Sequence, residues 1–312
     1  MSSQLRRDDP PLISALVCTY GRGRLAVDTV SSILANTYPN FELVVVDQSK
    51  DDRTLEALES FCSDPRLTYL RSSTIGKGDA LNVGLRATKG STIAITDDDC
   101  TVPPNWLETF DSIFEMHPKV AVAFCCVEAC EHDRAAGFVP DFVRSGERIL
   151  TTMHDARHVR GLGAGIAVRR DMIKEIGGFD PMLGPGSRFH DCDDRDIAIR
   201  ALLAGYTVYE TSKIAVKHFG FRSWQQGQQL ARRNFLGIGA AYSKFLKCGR
   251  IQLMYIPARE FMRYALWPPI RDVLHLRQPR GIVRITAFAE GFLGGLRTPV
   301  DRATLIFVED RA

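Results

Sequence analysis

The chain lacks any uninterrupted apolar run long enough to span a bilayer, and its opening, Met1-Ser2-Ser3-Gln4-Leu5-Arg6-Arg7, has no apolar core of the kind that directs secretion. Neither a membrane-spanning protein nor a secreted precursor is expected. The eight cysteines form no Cys-x-x-Cys pair and keep no regular spacing, which argues against a zinc site and a disulfide scaffold. Cys18, Cys100, Cys125 and Cys126 sit in or beside apolar runs and read as small core residues of a reduced, cytosolic protein. Repeats and low-complexity tracts are absent, so a solenoid is excluded. No nucleic-acid-binding motif accompanies the positive charge, so no nucleic-acid partner is expected.

What remains is an ordinary globular composition: 312 residues, 45% apolar and 25% charged, enough for one large domain or a domain with an appendage. The net charge of +3 is unevenly spread. Between Arg222 and Arg302 stand fourteen Lys and Arg against four Asp and Glu, a local balance of +10, which leaves the remainder acidic. That asymmetry suggests a site for an acidic ligand in the first part and an anionic partner or surface for the last.

Short β-rich runs alternate with amphipathic segments over the first half. Residues 12–20, 41–47, 67–70, 93–96 and 120–127 read as strands, and 24–37, 51–61, 79–87 and 105–116 as helices. The strands are nearly continuous apolar runs, as expected for a parallel sheet covered on both faces. Residues 130–160 read as a polar loop excursion over the site. Then come a glycine-rich strand entry at 161–169, a short helix at 172–176, a loop at 181–189 and a helix at 194–203. Two short strands follow, at 207–209 and 214–216, and helices after Trp224.

The most telling segment is Thr96-Asp97-Asp98-Asp99-Cys100, directly after the apolar Ile93-Ala94-Ile95. Three carboxylates at a buried strand end repel one another in a place where water screens them poorly. A divalent cation with a preference for oxygen ligands, Mg²⁺ or Mn²⁺, offsets that cost. An acidic turn capping the next helix accounts for the same residues, and the run alone does not separate the two readings. Thr19-Tyr20-Gly21-Arg22 and Asp47-Gln48-Ser49 end the first two strands, where a nucleotide can lie across the sheet edge. Asp47 can accept from a base or ribose, and Arg22 and Lys77 can meet phosphates, though turn chemistry and solvated charge explain the same residues.

These pieces occur in one order: V-C-T-Y-G-R, V-V-V-D-Q-S, G-K-G-D-A-L-N-V-G-L, T-D-D-D-C, G-G-F-D, D-D-R-D-I-A-I-R-A-L-L-A-G-Y and V-K-H. That order resembles glycosyltransferase family 2 over roughly residues 10–225. The resemblance implies an α/β GT-A fold, with a single Rossmann-like, mostly parallel sheet flanked by helices. It also implies a nucleotide-sugar donor, a divalent metal and inversion at the anomeric carbon. On it, residues 10–225 form the catalytic domain, with a nucleotide-binding half at about 10–105 and an acceptor half at about 106–225; 226–312 form a helical, basic extension.

The resemblance also distributes roles. Asp97 and Asp99 match the outer acids of the family's D-x-D motif. Asp99 would be the direct metal ligand, Asp97 would face ribose or metal, and Asp98 would stand beside the donor. Thr19, Tyr20, Asp47 and Lys77 match nucleotide-pocket positions. Gln48 stands where many relatives have a second aspartate, which puts uracil as the base in question. Gly163 matches the loop beneath the donor sugar, and His218 a late histidine that contacts metal or diphosphate. Asp194 would be the general base that deprotonates the acceptor hydroxyl, with Asp193 orienting either that base or the acceptor, although both also suit a helix N-terminus. Asp196 and Arg200, four apart on one helix, read as a structural ion pair. Trp106 reads as core; Trp224 fits either a sugar platform or packing of the last helix.

The expected function is metal-dependent, inverting transfer of a sugar to an acceptor hydroxyl in polysaccharide, glycolipid or glycoconjugate synthesis. The acceptor would be a glycan, a lipid-linked sugar or a small molecule. Nucleotidyl transfer, or a non-catalytic sugar- or nucleotide-binding module, would use the same acids. The basic, aromatic-bearing tail fits either helices packed on the domain with a solvated face or contact with the inner face of a membrane.

Overall fold

The computed structural model describes residues 9–309. In its first half, strands and helices alternate: β1 (Ile13–Thr19), α1 (Leu25–Leu34), β2 (Phe41–Asp47), α2 (Arg53–Leu58), β3 (Leu67–Arg71), α3 (Lys77–Ala87) and β4 (Thr92–Asp97). The four strands are parallel in the order β3-β2-β1-β4. Their residues alternate between two apolar layers: Leu16, Val44, Val46 and Ile95 face one, Val17, Val45 and Ala94 the other. Burial on both faces is why these strands are continuous runs of Val, Ile and Leu. Each such side chain taken fully out of water contributes about 1.5–3 kcal/mol.

The second half completes the sheet. It contains β5 (Cys100–Thr101), α4 (Trp106–Met116), β6 (Val120–Ala129), β7 (Gly137–Phe138), β8 (Arg148–Leu150), β9 (Ile166–Arg169), α5 (Arg170–Ile176), α6 (Asp193–Leu203), β10 (Thr207–His218) and β11 (Arg222–Ser223). The nine-stranded sheet runs β3-β2-β1-β4-β9-β6-β10-β5, with β8 also paired to β10. β9 is antiparallel to both β4 and β6, so β6 and β10 point the same way as the first four strands. Trp106 is fully buried, as the sequence suggests.

Several boundaries differ from expectation for local reasons. α1 stops at Leu34 rather than residue 37, because the chain turns out where Asn36 donates to the Pro103 carbonyl at 3.1 Å and Thr37 N–H donates to that of Pro104. α3 begins at Lys77, immediately after Gly76 at φ +98°. The two short strands expected at 207–216 are one strand, β10. A bulge between Glu210 and Ala215, stabilised by the Lys213 N–H donating to Thr211 Oγ1, breaks the apolar pattern without ending the strand. The polar excursion holds β7, β8 and a 3₁₀ helix at Met153–His158 whose first turn is closed by Thr152 and Asp155.

Beyond β11 lie α7 (Trp224–Lys247), α8 (Tyr255–Glu260), a π-helical turn (Phe261–Leu266), α9 (Trp267–Leu274), α10 (Ile282–Arg297) and a hairpin of β12 (Val300–Asp301) and β13 (Ile306–Phe307). α7 opens with a reciprocal Ser223–Gln226 capping box. α10 crosses it at backbone contact: a Cβ on Gly291 would lie 2.0 Å from the Leu236 carbonyl oxygen. α7 is also held electrostatically. The fully buried Lys244 ammonium pairs with Asp180 at 2.6 Å and Asp196 at 2.7 Å, and Asp196 pairs with Arg200 at 2.8 Å. The Asp196–Arg200 pair is thus structural, as its helical spacing implies. Trp224 packs at a tilt against Phe138, with ring centroids 5.5 Å apart, and donates to the Ala135 carbonyl at 3.0 Å, so it secures the excursion.

Candidate active site

The strands deliver their polar ends to one cavity of about 1660 Å³. Thr19, Tyr20, Arg22, Gln48, Lys77, Asp97, Asp98, Asp99, Gly163, Asp193, Asp194 and His218 all line it. Asp47 does not. Its carboxylate is fully buried and already engaged, accepting from the Ser49 N–H at 2.8 Å and from the Tyr69 hydroxyl at 2.5 Å. Ser49 Oγ in turn accepts from the Gly21 N–H at 2.8 Å. Asp47 therefore positions the loop after β1, which the sequence pattern alone does not reveal. Gln48 Nε2 is likewise committed: it donates to the Thr74 carbonyl at 2.8 Å and the Gly76 carbonyl at 3.1 Å.

The acid turn follows β4. Asp98 and Asp99 are 6% and 8% exposed, so they do not form a solvated turn. Arg22 spans them, with Nε 3.4 Å from Asp98 and a terminal nitrogen 3.2 Å from Asp99. Arg22 was expected at phosphates; here its guanidinium rests on the acids. Burial pushes Asp98 up to about 6, against the opposing pull of Arg22. Lys77 pairs with Asp97. Burial disfavours the Lys77 ammonium, but Asp97 and Asp193 outweigh it and hold its pKa above the ordinary lysine value.

His218 completes this side. Its Nδ1 lies 2.7 Å from the Pro140 carbonyl oxygen, which only accepts, so Nδ1 carries the proton. Nε2 lies 3.3 Å from Asp99 Oδ1. A neutral imidazole would set a lone pair against a carboxylate, and only a proton or a cation between them removes that conflict. Burial is the largest single influence and opposes the imidazolium, but the hydrogen bonds to Asp99 and the Pro140 carbonyl and the charges of Asp99 and Asp97 together outweigh it and raise the His218 pKa. Ligand atoms of Asp99, Cys100 and His218 lie within 4.8 Å of one another. Burial drives the Cys100 thiol far upward, which leaves the carboxylate and imidazole as the competent donors, a set suited to Mg²⁺ or Mn²⁺. Gly220 leaves room for them: a Cβ there would lie 2.6 Å from His218 Nε2 and 2.8 Å from Asp99 Oδ2. Its part is invisible in the sequence beyond its place after Lys217-His218-Phe219.

Across the cavity, α6 presents Asp193 and Asp194. The turn before it is strained, with His190 at φ +64° and Cys192 at φ +79°, neither of them glycine. Asp194 Oδ2 accepts from the Gly163 N–H at 3.0 Å, so the glycine-rich loop holds the carboxylate. Burial, reinforced by Asp191, raises Asp194; burial, opposed by Lys77, raises Asp193. Asp191 lines the cavity as well, pushed by burial up to about 6. The sequence reading gave it no role. Arg195 and Arg160, also unassigned, line the cavity and share Glu260 of α8, at 2.9 and 3.4 Å.

Residues 14–177 match the family model described as Glycosyl transferase family 2. The chain belongs to this family. The glucosyl-dolichyl phosphate glucuronosyltransferase of Haloferax volcanii is 25% identical, over 92% of this chain and 97% of its own. Glycosyltransferase GlyG of Streptococcus pneumoniae is 36% identical over 31% of this chain and 33% of its own. Among solved structures, a Pyrobaculum calidifontis mannosyltransferase in complex with GDP-Man and Mn²⁺ superposes with a TM-score of 0.61. It is 18% identical, and the match covers 93% of this chain and 88% of that one. TarS 1-349 of Staphylococcus aureus with UDP-GlcNAc gives 0.56 at 16% identity, covering 90% and 81%. The fold of this glycosyltransferase is therefore GT-A.

Proposed function

We propose that this glycosyltransferase moves a sugar, with inversion, from a nucleotide donor held at the acid turn to a hydroxyl of a lipid-linked sugar acceptor. The observation that carries the reading is that one cavity is lined by the Asp99–His218 pair on one side and by Asp193 and Asp194 on the other, with Lys77 between them. Its volume exceeds that of a single small-ligand pocket and accommodates donor and acceptor together.

A divalent cation held by Asp99 and His218 would offset the charge that develops on the departing nucleoside diphosphate. Asp97 is held by Lys77 toward the same space, and Arg22 keeps the Asp98-Asp99 turn in place. A Cβ on Gly163 would lie 3.2 Å from Lys77 Nζ, so glycine keeps the loop clear of that ammonium. Asp194 takes the acceptor proton as the hydroxyl oxygen bonds to the anomeric carbon and the bond to the diphosphate breaks. Burial and Asp191 raise its pKa, which makes it a stronger base than an ordinary aspartate. Asp193 orients the acceptor. The residues 10–225 carry this site, and 226–312 supply its acceptor-side wall through Leu230, Asn234 and Ile238.

The acceptor class rests on the Haloferax relative and on the apolar side chains of Phe142, Val159, Leu230 and Ile238 at the acceptor side. The test is product analysis with a panel of nucleotide sugars, Mn²⁺ and lipid-phosphate-linked glucose. The expected products are an extended lipid-linked sugar and free nucleoside diphosphate. Release of inorganic diphosphate, or transfer only to water-soluble glycans, would contradict the reading.

A further inference from the structure

The helices that follow α7 carry an apolar and cationic face that packing within the chain leaves open. Met262, Trp267, Ile270, Val273 and Leu274 are 41–69% exposed, at spacings that keep them on one side of the continuous helical run 255–274. Leu276, just past the helix end, is 97% exposed at φ +55°. An exposed Leu at the tip of a helical arm serves no packing inside this molecule.

The cations around this face make no ion pair among the described residues, although Arg263 lies over the Tyr264 ring at 5.3 Å and Arg271 is next to Asp272 in the chain. Arg263, Arg271 and Arg277 are exposed, and among the described residues no carboxylate lies within ion-pair distance of them. The acids of this stretch are committed elsewhere: Glu260 to Arg195 and Arg160, Asp272 to Arg280. No described helix is long and apolar enough to cross a membrane. An arginine-rimmed apolar face of this size, carrying Trp267 and Tyr264, has the composition of a segment that lies in the headgroup layer. The local balance of +10 selects the sign of the surface.

We propose that the face formed by Met262, Trp267, Ile270, Val273, Leu274 and Leu276 docks this enzyme onto an anionic lipid bilayer. The same helical run is tied to the cavity wall, since Glu260, one residue before the π-helical turn, pairs with Arg160 and Arg195, which line the cavity. The inference goes beyond the catalytic reading, and its test involves no donor, so either can fail alone.

The experiment is flotation of the full chain with vesicles of phosphatidylcholine alone, or of an equal mixture with phosphatidylglycerol. Binding to the mixed vesicles, weak binding to the neutral ones and weakening by salt are expected. Leu274→Asp with Leu276→Asp should lower the bound fraction by about tenfold or more at an unchanged melting temperature, since both positions are exposed. Arg271→Glu with Arg277→Glu should remove the preference for anionic vesicles. Three results would overturn the proposal: no binding to mixed vesicles, binding undiminished in both double variants, or a dimer in light scattering that the leucine substitutions dissolve.

Discussion

Asp194→Asn slows transfer at bound nucleotide, with kcat lower by about 10²–10⁴-fold, the usual contribution of a positioned general base. The substitution is nearly isosteric. The amide oxygen can still accept from the Gly163 N–H now bonded to Asp194 Oδ2 at 3.0 Å, so the loop keeps its place. The acid turn lies across the cavity, so affinity for a nucleoside diphosphate stays near that of the parent. The pH profile carries a second signature. Burial and Asp191 raise the Asp194 pKa, so the acidic limb of kcat/KM lies above the ordinary carboxylate range and activity climbs as pH rises through that value. Residual activity in the variant loses that limb. A variant that transfers sugar at the parent rate removes Asp194 from the role of base.

Lys244→Met destabilises the fold by about 3–5 kcal/mol, because removing one member of a buried ion cluster leaves the others uncompensated. Lys244, Asp180, Asp196 and Arg200 are at most 2% exposed. Lys244 is the cation that joins two carboxylates from different segments, and Asp180 Oδ2 also accepts from the Phe307 N–H at 3.0 Å. Met keeps an unbranched stem and loses the ammonium charge together with its hydrogen bond to Asp180. At about 2–4 °C per kcal/mol for a chain of this class, the melting temperature drops by roughly 10 °C. Lys174→Met is the control. Its partner Asp171 is 3.9 Å away and both side chains are largely exposed, so the expected change is within about 0.5 kcal/mol. Equal melting temperatures for the two variants would show that the cluster contributes little.

The alternation of buried strands with helices was legible because parallel strands covered on both faces leave a continuous Val and Ile record. The acid run by itself left a capping turn and a charge-compensated site equally open, and the burial of Asp98 and Asp99 with Arg22 and Lys77 against the run is what rules out a solvated turn. What the sequence hid depends on side-chain direction and on distant partners. Val45-Val46-Asp47-Gln48 reads as a strand ending in a ligand group, yet Tyr69, 22 residues away, and Ser49 consume that carboxylate from both sides. Arg195 and Glu260 are 65 residues apart, and nothing in either neighbourhood signals their pairing. The bulge in β10 looked like a gap between strands because residues 211–214 break the alternation that the backbone continues. Gly220 shows its significance only when its missing Cβ is seen against His218 and Asp99.

The central claim is that the turn after β4 grips a cation that holds the departing nucleotide. Mn²⁺ titration followed by electron paramagnetic resonance, with and without a nucleoside diphosphate, tests it most directly. The parent should bind Mn²⁺ more tightly when the nucleotide is present. Asp99→Asn and Gly220→Ala should each weaken that binding by about tenfold or more. Titrations of Asp99→Asn that match the parent, with nucleotide affinity indifferent to Mn²⁺, would contradict the account.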